Sequence, residues 1–154
     1  MAEPPQVIEL RIPSAFGYEK MAMKLAEALA RQMGFSDERV EDLKTALSEA
    51  CLNAIEHGNR CDANTPVVVR FSLGVDRLGI DVQDEGLGGP PPPDVPEPDI
   101  ARKISGQERM RQMGLYIIRS LVDEAGFLPP ESGMGNRFHM VLRLGEPGQT
   151  ADTV

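Results

Sequence analysis

Tryptophan is absent from this 154-residue chain and aromatic residues make up only 5 % of it, so its core must be aliphatic and methionine-bearing rather than built on stacked rings. Cysteine is nearly missing too. Cys51 falls inside an expected helix and Cys61 just after it. No C-x-x-C pair and no His at zinc-ligand spacing accompany them, which excludes a disulfide framework and a structural zinc. Both read as free thiols of a reducing compartment, Cys51 as a small core residue. Positive charge is in the minority, with 16 Lys and Arg against 24 Asp and Glu and a net charge of −8. That balance excludes nucleic acid as the main partner, because such binding rests on cations that neutralise phosphates. An anionic small ligand would need local help from a cation or from backbone N–H groups. No apolar run approaches the roughly 18 residues of a membrane span, and MAEPPQVIEL has neither the basic nor the apolar region of a signal peptide. A cytoplasmic protein without membrane association is expected.

What is present fits one globular domain over residues 1–145, with a flexible tail at 146–154. VIELRIP (7–13) alternates as a half-buried strand does. Ser14 is placed to cap the helix that follows, in which Met21, Leu25, Ala28, Leu29 and Gln32 or Met33 recur at helical spacing before a stop at Gly34. Ser36 caps a second helix, with Asp37 and Glu38 in its first turn, and that helix is expected to run to about His57. VVVRFSL (67–73) and LGIDVQD (78–84) form an antiparallel hairpin. The proline-rich stretch GPPPPDVPEPD excludes helix interior and central strand and is expected to be a lid. A helix over 113–126 and a strand over 136–144 complete the chain. Hairpins without repeated βαβ crossovers predict an α+β fold: a mixed, mostly antiparallel sheet with helices on one face.

The segment SEACLNAIEHGN (48–59) carries the most chemistry. Val40, Leu43, Leu47, Ala50, Cys51 and Ala54 form one apolar stripe on the helical wheel, while Glu49, Asn53 and His57 fall at roughly 240°, 280° and 320° from Leu43 and line its edge. A solvated flank gives the same pattern. The chemistry of the set favours a site: an Asn carbonyl oxygen suits Mg²⁺ shared with substrate phosphates, and a carboxylate one turn away can accept a proton from an attacking hydroxyl. Zinc is disfavoured because Asn is a poor ligand and H-E-x-x-H is missing.

Glycines mark two further places. After strand 78–84 come Asp84-Glu85-Gly86-Leu87-Gly88-Gly89, where glycines allow close backbone approach to a flat ligand and the carboxylate can accept from an adenine amino group. Met113-Gly114-Leu115 is expected to open the late helix, whose first N–H groups suit a phosphate. Gly133-Met134-Gly135-Asn136 reads equally as a plain turn. Neither a P-loop nor a Rossmann glycine pattern occurs, and no Ser-His-Asp or Cys-His arrangement is suggested.

Taken in order, E-A-C-L-N-A-I-E-H-G-N, D-E-G-L-G, M-G-L-Y-I-I-R-S-L-V-D-E and G-N-R-F-H-M-V-L-R-L resemble the GHKL (histidine-kinase-like) ATP-binding domains, and among them the anti-sigma factor serine/threonine kinases, over roughly residues 5 to 144. The resemblance implies a two-layer α/β sandwich of the Bergerat type that uses ATP and Mg²⁺. It implies Glu49 as catalytic base, Asn53 as metal ligand, and an ATP site that also includes His57, Asp84, Gly86, Gly88, Gly114, Leu115, Gly135 and Asn136. The lid would span 89–112, with Arg109 or Arg111 approaching the terminal phosphate. Implied partners are an anti-anti-sigma (STAS) protein and a sigma factor, and the implied assembly is a homodimer. The alternative is a nucleotide-gated binding module without turnover. Two departures stand out: Gln112 replaces the first glycine of the usual G-x-G-L, and Asn136 replaces the threonine of the usual G-T.

Overall fold

The computed structural model describes residues 4–90, 106–130, 133 and 135–145. The proline-rich stretch 91–105 and the tail 146–154 lie outside the described residues. The elements are β1 (Gln6–Pro13), α1 (Glu19–Met33), α2 (Asp37–Asn53), a π-helical turn (Ala54–Gly58), β2 (Pro66–Leu73), β3 (Arg77–Asp84), α3 (Gly106–Leu121), β4 (Glu124–Leu128) and β5 (Asn136–Arg143). The five strands form one sheet in the order β1-β2-β3-β5-β4. The sheet, expected as mostly antiparallel, is antiparallel at every described pair.

Strand alternation decides which face is covered. Val67, Val69 and Phe71 of β2, Leu78, Ile80 and Val82 of β3, and Phe138, Met140 and Leu142 of β5 are buried in the core with the apolar stripes of the helices. The opposite face carries polar groups. One row across it reads Glu9, Arg70, Asp81, His139 by strand register, with Asp81 paired to both Arg137 and His139.

The α2 stripe is buried as the wheel predicts, from Val40 through Ala54. On α1 the expected Leu29 is buried and Leu25 and Met33 pack against the core, but the fully buried positions are Ala22, Ala26 and Ala30, and Met21 is 49 % exposed. Alanines at these positions let α1 lie close against α2, so close approach rather than side-chain bulk decides which face turns inward. Ser36 accepts from the Arg39 N–H at 3.2 Å, as an N-cap does. Ser14 does not cap α1. Its hydroxyl is fully buried and donates to the Thr65 carbonyl, while α1 begins at Glu19, whose carboxylate accepts from Gly17 N–H.

The late helix also differs from expectation: α3 starts at Gly106 and stops at Leu121, and residues 124–128 are an edge strand instead of its last turn. The stop is made from outside. Arg39 donates to the Leu121 carbonyl at 2.9 Å and to Asp123 at 3.0 Å, and Asp123 also accepts from the Arg143 N–H on β5. A guanidinium that satisfies an orphan C-terminal carbonyl ends α3 and turns the chain into β4.

Candidate functional site

The end of α2 is where the sequence and the structure part in a useful way. Regular α-helix ceases at Asn53 and a π-turn follows, with Asn59 N–H donating to Ala54 O and Cys61 N–H to Ile55 O, both at 2.8 Å. Arg60 and Cys61 then take φ values of 49° and 56°, the left-handed region that non-glycine residues rarely enter. The wheel position assigned to His57 on an unbroken helix therefore does not hold. Even so, Glu49, Asn53 and His57 line one hollow of about 210 Å³, together with Leu52, Glu56, Met110 and Arg111. Asn53 Nδ2 is buried with no hydrogen-bond partner among the described residues. Above it lies Gly114 of α3, where a methyl group would sit 3.0 Å from Glu49 Oε2 and 3.6 Å from Asn53 Nδ2. Glycine at 114 keeps that space open over the two polar side chains.

Asp84 closes β3 against the same end of α2. Its carboxylate is 7 % exposed and accepts from the Gly86 N–H at 2.8 Å and from Asn136 Nδ2 at 3.1 Å. Burial pushes its pKa up, against the pull of those donors and of the nearby Arg111 charge. The glycines around it serve backbone contact within the protein. A Cβ at Gly58 would fall 2.2 Å from the Asp84 carboxyl, one at Gly88 would fall 1.7 Å from the His57 carbonyl, and one at Gly135 would fall 2.1 Å from the Asp84 carbonyl. Gly86 is at φ 74° with its Cα face against Gly135. The D-E-G-L-G turn is thus docked on the π-turn on one side and on the start of β5 on the other. Asn136, where the family pattern has threonine, also donates to the Gly89 carbonyl at 3.0 Å.

A second hollow joins these parts, lined by Ala50, Asn53, Ala54, Val82, Asp84, Arg111, Leu115, Phe127 and Phe138. Asn53 and Arg111 belong to both hollows. The free space in this one is only about 10 Å³, far less than a purine ring needs. From this position the Arg111 charge reaches both Asp84 and His57. Burial first, and that guanidinium second, hold the His57 imidazole below its ordinary pKa, against the opposing pull of Glu56.

A family model for the histidine kinase-like ATPase domain matches residues 12–141. The chain belongs to that family. Among its relatives is the serine-protein kinase RsbW of Bacillus subtilis (strain 168), 33 % identical over 128 residues that cover 76 % of this chain and 74 % of that one. The serine-protein kinase RsbW of Bacillus thuringiensis subsp. konkukian is 31 % identical over 139 residues, 85 % of this chain and 82 % of its own. A solved Mycobacterium tuberculosis structure containing RsbU and RsbW domains superposes with a TM-score of 0.63 over 94 % of this chain at 20 % identity, which shows the fold. The present chain spans 34 % of that longer protein.

Two placements in this histidine kinase-like domain differ from the sequence expectation. Gly114 and Leu115 lie well inside α3 rather than at its start, so their N–H groups belong to the helix's own ladder and are not free for a phosphate. Residues 106–112, expected within the lid, are helical, while 91–105 lie outside the described residues. Of the two candidate arginines, Arg111 faces both hollows and the Arg109 side chain lies outside what the structure describes. No local pattern pointed to Phe127 and Phe138, which meet edge to face with centroids 5.0 Å apart in the wall beside Asp84. Asn59 was not singled out either, although that residue closes the very motif that carries Glu49 and Asn53.

Proposed function

We propose that this domain is a serine/threonine protein kinase that binds ATP between α2 and the Asp84 turn. It would transfer the γ-phosphoryl group to a hydroxyl of an anti-anti-sigma protein of the STAS type, and also sequester a sigma factor. The single observation that carries the reading is that Asn53 belongs to two hollows, one with Glu49 and His57, the other with Asp84. The names of the Bacillus relatives support the kinase assignment.

In this reading Asp84 accepts a hydrogen bond from the adenine amino group, and Phe127, Phe138 and Val82 flank the ring. Glu49 is the general base. It takes the proton of the acceptor hydroxyl as that oxygen bonds to the γ-phosphorus, the bond from phosphorus to the β,γ-bridging oxygen breaks, and ADP leaves with that oxygen. His57, whose pKa is held down by burial and then by the Arg111 charge, offers a ring nitrogen for one hydrogen bond beside the guanidinium. The buried, unpartnered Nδ2 of Asn53 fits a magnesium site once the amide is turned, since its oxygen and nitrogen ends are exchangeable by rotation. Among the described residues no three His, Cys, Asp or Glu side chains converge. Asn53 would therefore hold Mg²⁺ jointly with phosphate oxygens, and the ion would supply charge neutralisation at the triphosphate. For a purine to enter, Arg111 must leave its place and the first turns of α3 must move.

Incubation with γ-labelled ATP and an anti-anti-sigma protein of the STAS type tests the proposal: label on a serine or threonine of that protein is expected, and its absence with active partner refutes kinase action. The closed state of the Asp84 hollow favours a second reading, a nucleotide-gated binding module. Partner binding that depends on ATP without any transfer of label would establish it. By family likeness we take the assembly to be a cytoplasmic homodimer, for which a light-scattering mass is the check. No helix among the described residues is long and apolar enough to cross a membrane.

A further inference from the structure

Asn59 is fully enclosed, with 0 % exposure, as is the Ser14 it bonds to. It stands where the π-turn ends and joins four parts of the chain. Its Nδ2 donates to the Ser14 hydroxyl at 3.0 Å, after β1, and to the carbonyls of Pro66 at 3.1 Å and Thr65 at 3.4 Å, at the start of β2. Its Oδ1 accepts from the Glu85 N–H at 2.7 Å, immediately beyond β3.

The last of these contacts bears on chemistry. The Glu85 N–H and the Asp84 carbonyl belong to one rigid peptide unit. Asn59 holds its N–H edge. Gly135 presses on its carbonyl edge, where even one added carbon would sit 2.1 Å from the Asp84 oxygen. A peptide clamped on both edges fixes ψ of Asp84, and the carboxylate is then captured by Gly86, Asn136 and the Cα face of Gly58. A second tie, Gly88 N–H to Gly58 O at 3.0 Å, keeps the two loops in register.

Asparagine suits this place for a chemical reason. The hub needs an acceptor on one side and a two-proton donor on the other, within one short planar group. Aspartate would turn an oxygen toward the Thr65 and Pro66 carbonyls, glutamine is a methylene too long, and an apolar residue would leave these buried groups unpaired.

We infer that Asn59 is a positioning residue for base recognition: it orients Asp84 toward the purine 6-position through the Glu85 peptide, without touching nucleotide itself. This rests on the nucleotide reading given above. The test compares dissociation constants for ATP and for purine riboside triphosphate, which lacks the 6-amino group. The wild type is expected to prefer ATP by roughly tenfold or more, the value of one hydrogen bond to a charged acceptor. Asn59→Ala is expected to reduce that preference to about twofold or less, and Asn59→Ser, which keeps a hydroxyl near the strand ends but is too short for Glu85, to do the same. Ser14→Ala removes a hub partner on the far side of the amide, and should lower the melting temperature while leaving the preference intact. A residue that merely stabilised the fold would make Asn59→Ala behave like Ser14→Ala. Full preference in either folded Asn59 variant overturns the inference alone. A wild type that binds the two nucleotides equally overturns it together with the base-recognition role of Asp84.

Discussion

Replacing Gly58 by alanine adds one methyl group whose nearest neighbours are all atoms of the Asp84 side chain: Cγ and Oδ2 at 2.2 Å and Cβ at 2.7 Å. Helix propensity favours alanine over glycine by about 1 kcal/mol in a helical turn, so the backbone alone predicts a gain. Sterics oppose it. Asp84 cannot yield cheaply, because its Oδ1 is held by Gly86 N–H and Asn136 Nδ2 and its peptide is clamped by Asn59 and Gly135. Forcing a methyl group into a filled site costs about 1–3 kcal/mol, and moving a carboxylate off a donor forfeits about 1.5–3 kcal/mol per bond. The penalty wins. Gly58→Ala should be less stable by about 1–3 kcal/mol, which is a fall in melting temperature of roughly 2–4 °C per kcal/mol in a domain of this size. Its ATP dissociation constant should rise about 10- to 100-fold, because the displaced carboxylate no longer meets the base. Thermal unfolding and nucleotide titration read the two effects separately. In an Asp84→Ala background the two 2.2 Å contacts are gone and only the Cβ at 2.7 Å remains, so the same Gly58→Ala change should cost less than in the wild type, a coupling that a double-mutant cycle measures. Gly58→Ala with wild-type stability and wild-type ATP affinity would refute the packing account.

Four other outcomes are expected. Glu49→Gln keeps the shape of the side chain but not its basicity, so ATP affinity should stay within about twofold while phosphoryl transfer falls by about 10²–10⁴; undiminished transfer removes Glu49 as the base. Asn53→Ala should abolish the magnesium dependence of nucleotide binding, and an unchanged response of the dissociation constant to Mg²⁺ discards the metal role. Because burial raises the Asp84 pKa above its ordinary 3.8, ATP affinity should begin to fall at a higher pH than an ordinary carboxylate would produce as the solution is acidified. The same group contributes most to stability below its unfolded pKa and loses that contribution as pH rises through the folded value, so affinity and stability should move oppositely in this window. Asp84→Asn should remove both pH dependences, and persistence of either points to another group. Gln112→Gly should weaken the start of α3 by about 1 kcal/mol and tighten ATP binding by up to about fivefold; a slower or unchanged amide exchange over 106–112 would contradict this.

Much of the fold was legible because burial obeys strand and helix periods. The α2 stripe and the β2–β3 hairpin follow directly from apolar spacing. Two of the departures share a cause, a partner distant in sequence. Ser14 looks like a helix cap, and becomes a buried donor because Asn59 and Thr65 arrive beside it from 45 and 51 residues away. The helix expected over 113–126 was cut short because Arg39, 82 residues upstream, takes the carbonyl of Leu121. Nothing in the local pattern encodes these meetings. The sequence reads the glycines of the D-E-G-L-G turn as room for a ligand, whereas at Gly88, as at Gly58 and Gly135, the structure supplies a nearer reason, the protein's own backbone and the Asp84 side chain.

The beginning of α3 shows how one residue type can hide a site from sequence reasoning and from a resting structure alike. The usual G-x-G-L pattern would favour a helix beginning near 113, leaving the N–H of Gly114 free. Here the preceding residues are Gln107, Glu108, Arg109, Met110, Arg111 and Gln112, every one a good helix former, and the helix extends back to Gly106. Two consequences follow from that single extension. The Gly114 N–H is consumed by the helix, and Arg111 is carried into the space beside Asp84, leaving about 10 Å³ there. Both are undone by the same movement, an unwinding of 106–112. On the nucleotide reading proposed above, the free energy of those two turns would set the affinity: a ligand would have to supply it, and a partner that holds the segment unwound would raise affinity without touching the base. Glu49 and Asn53 lie on the regular helix α2, outside the segment that would unwind, so on that reading the chemistry is built in advance and the access is what varies.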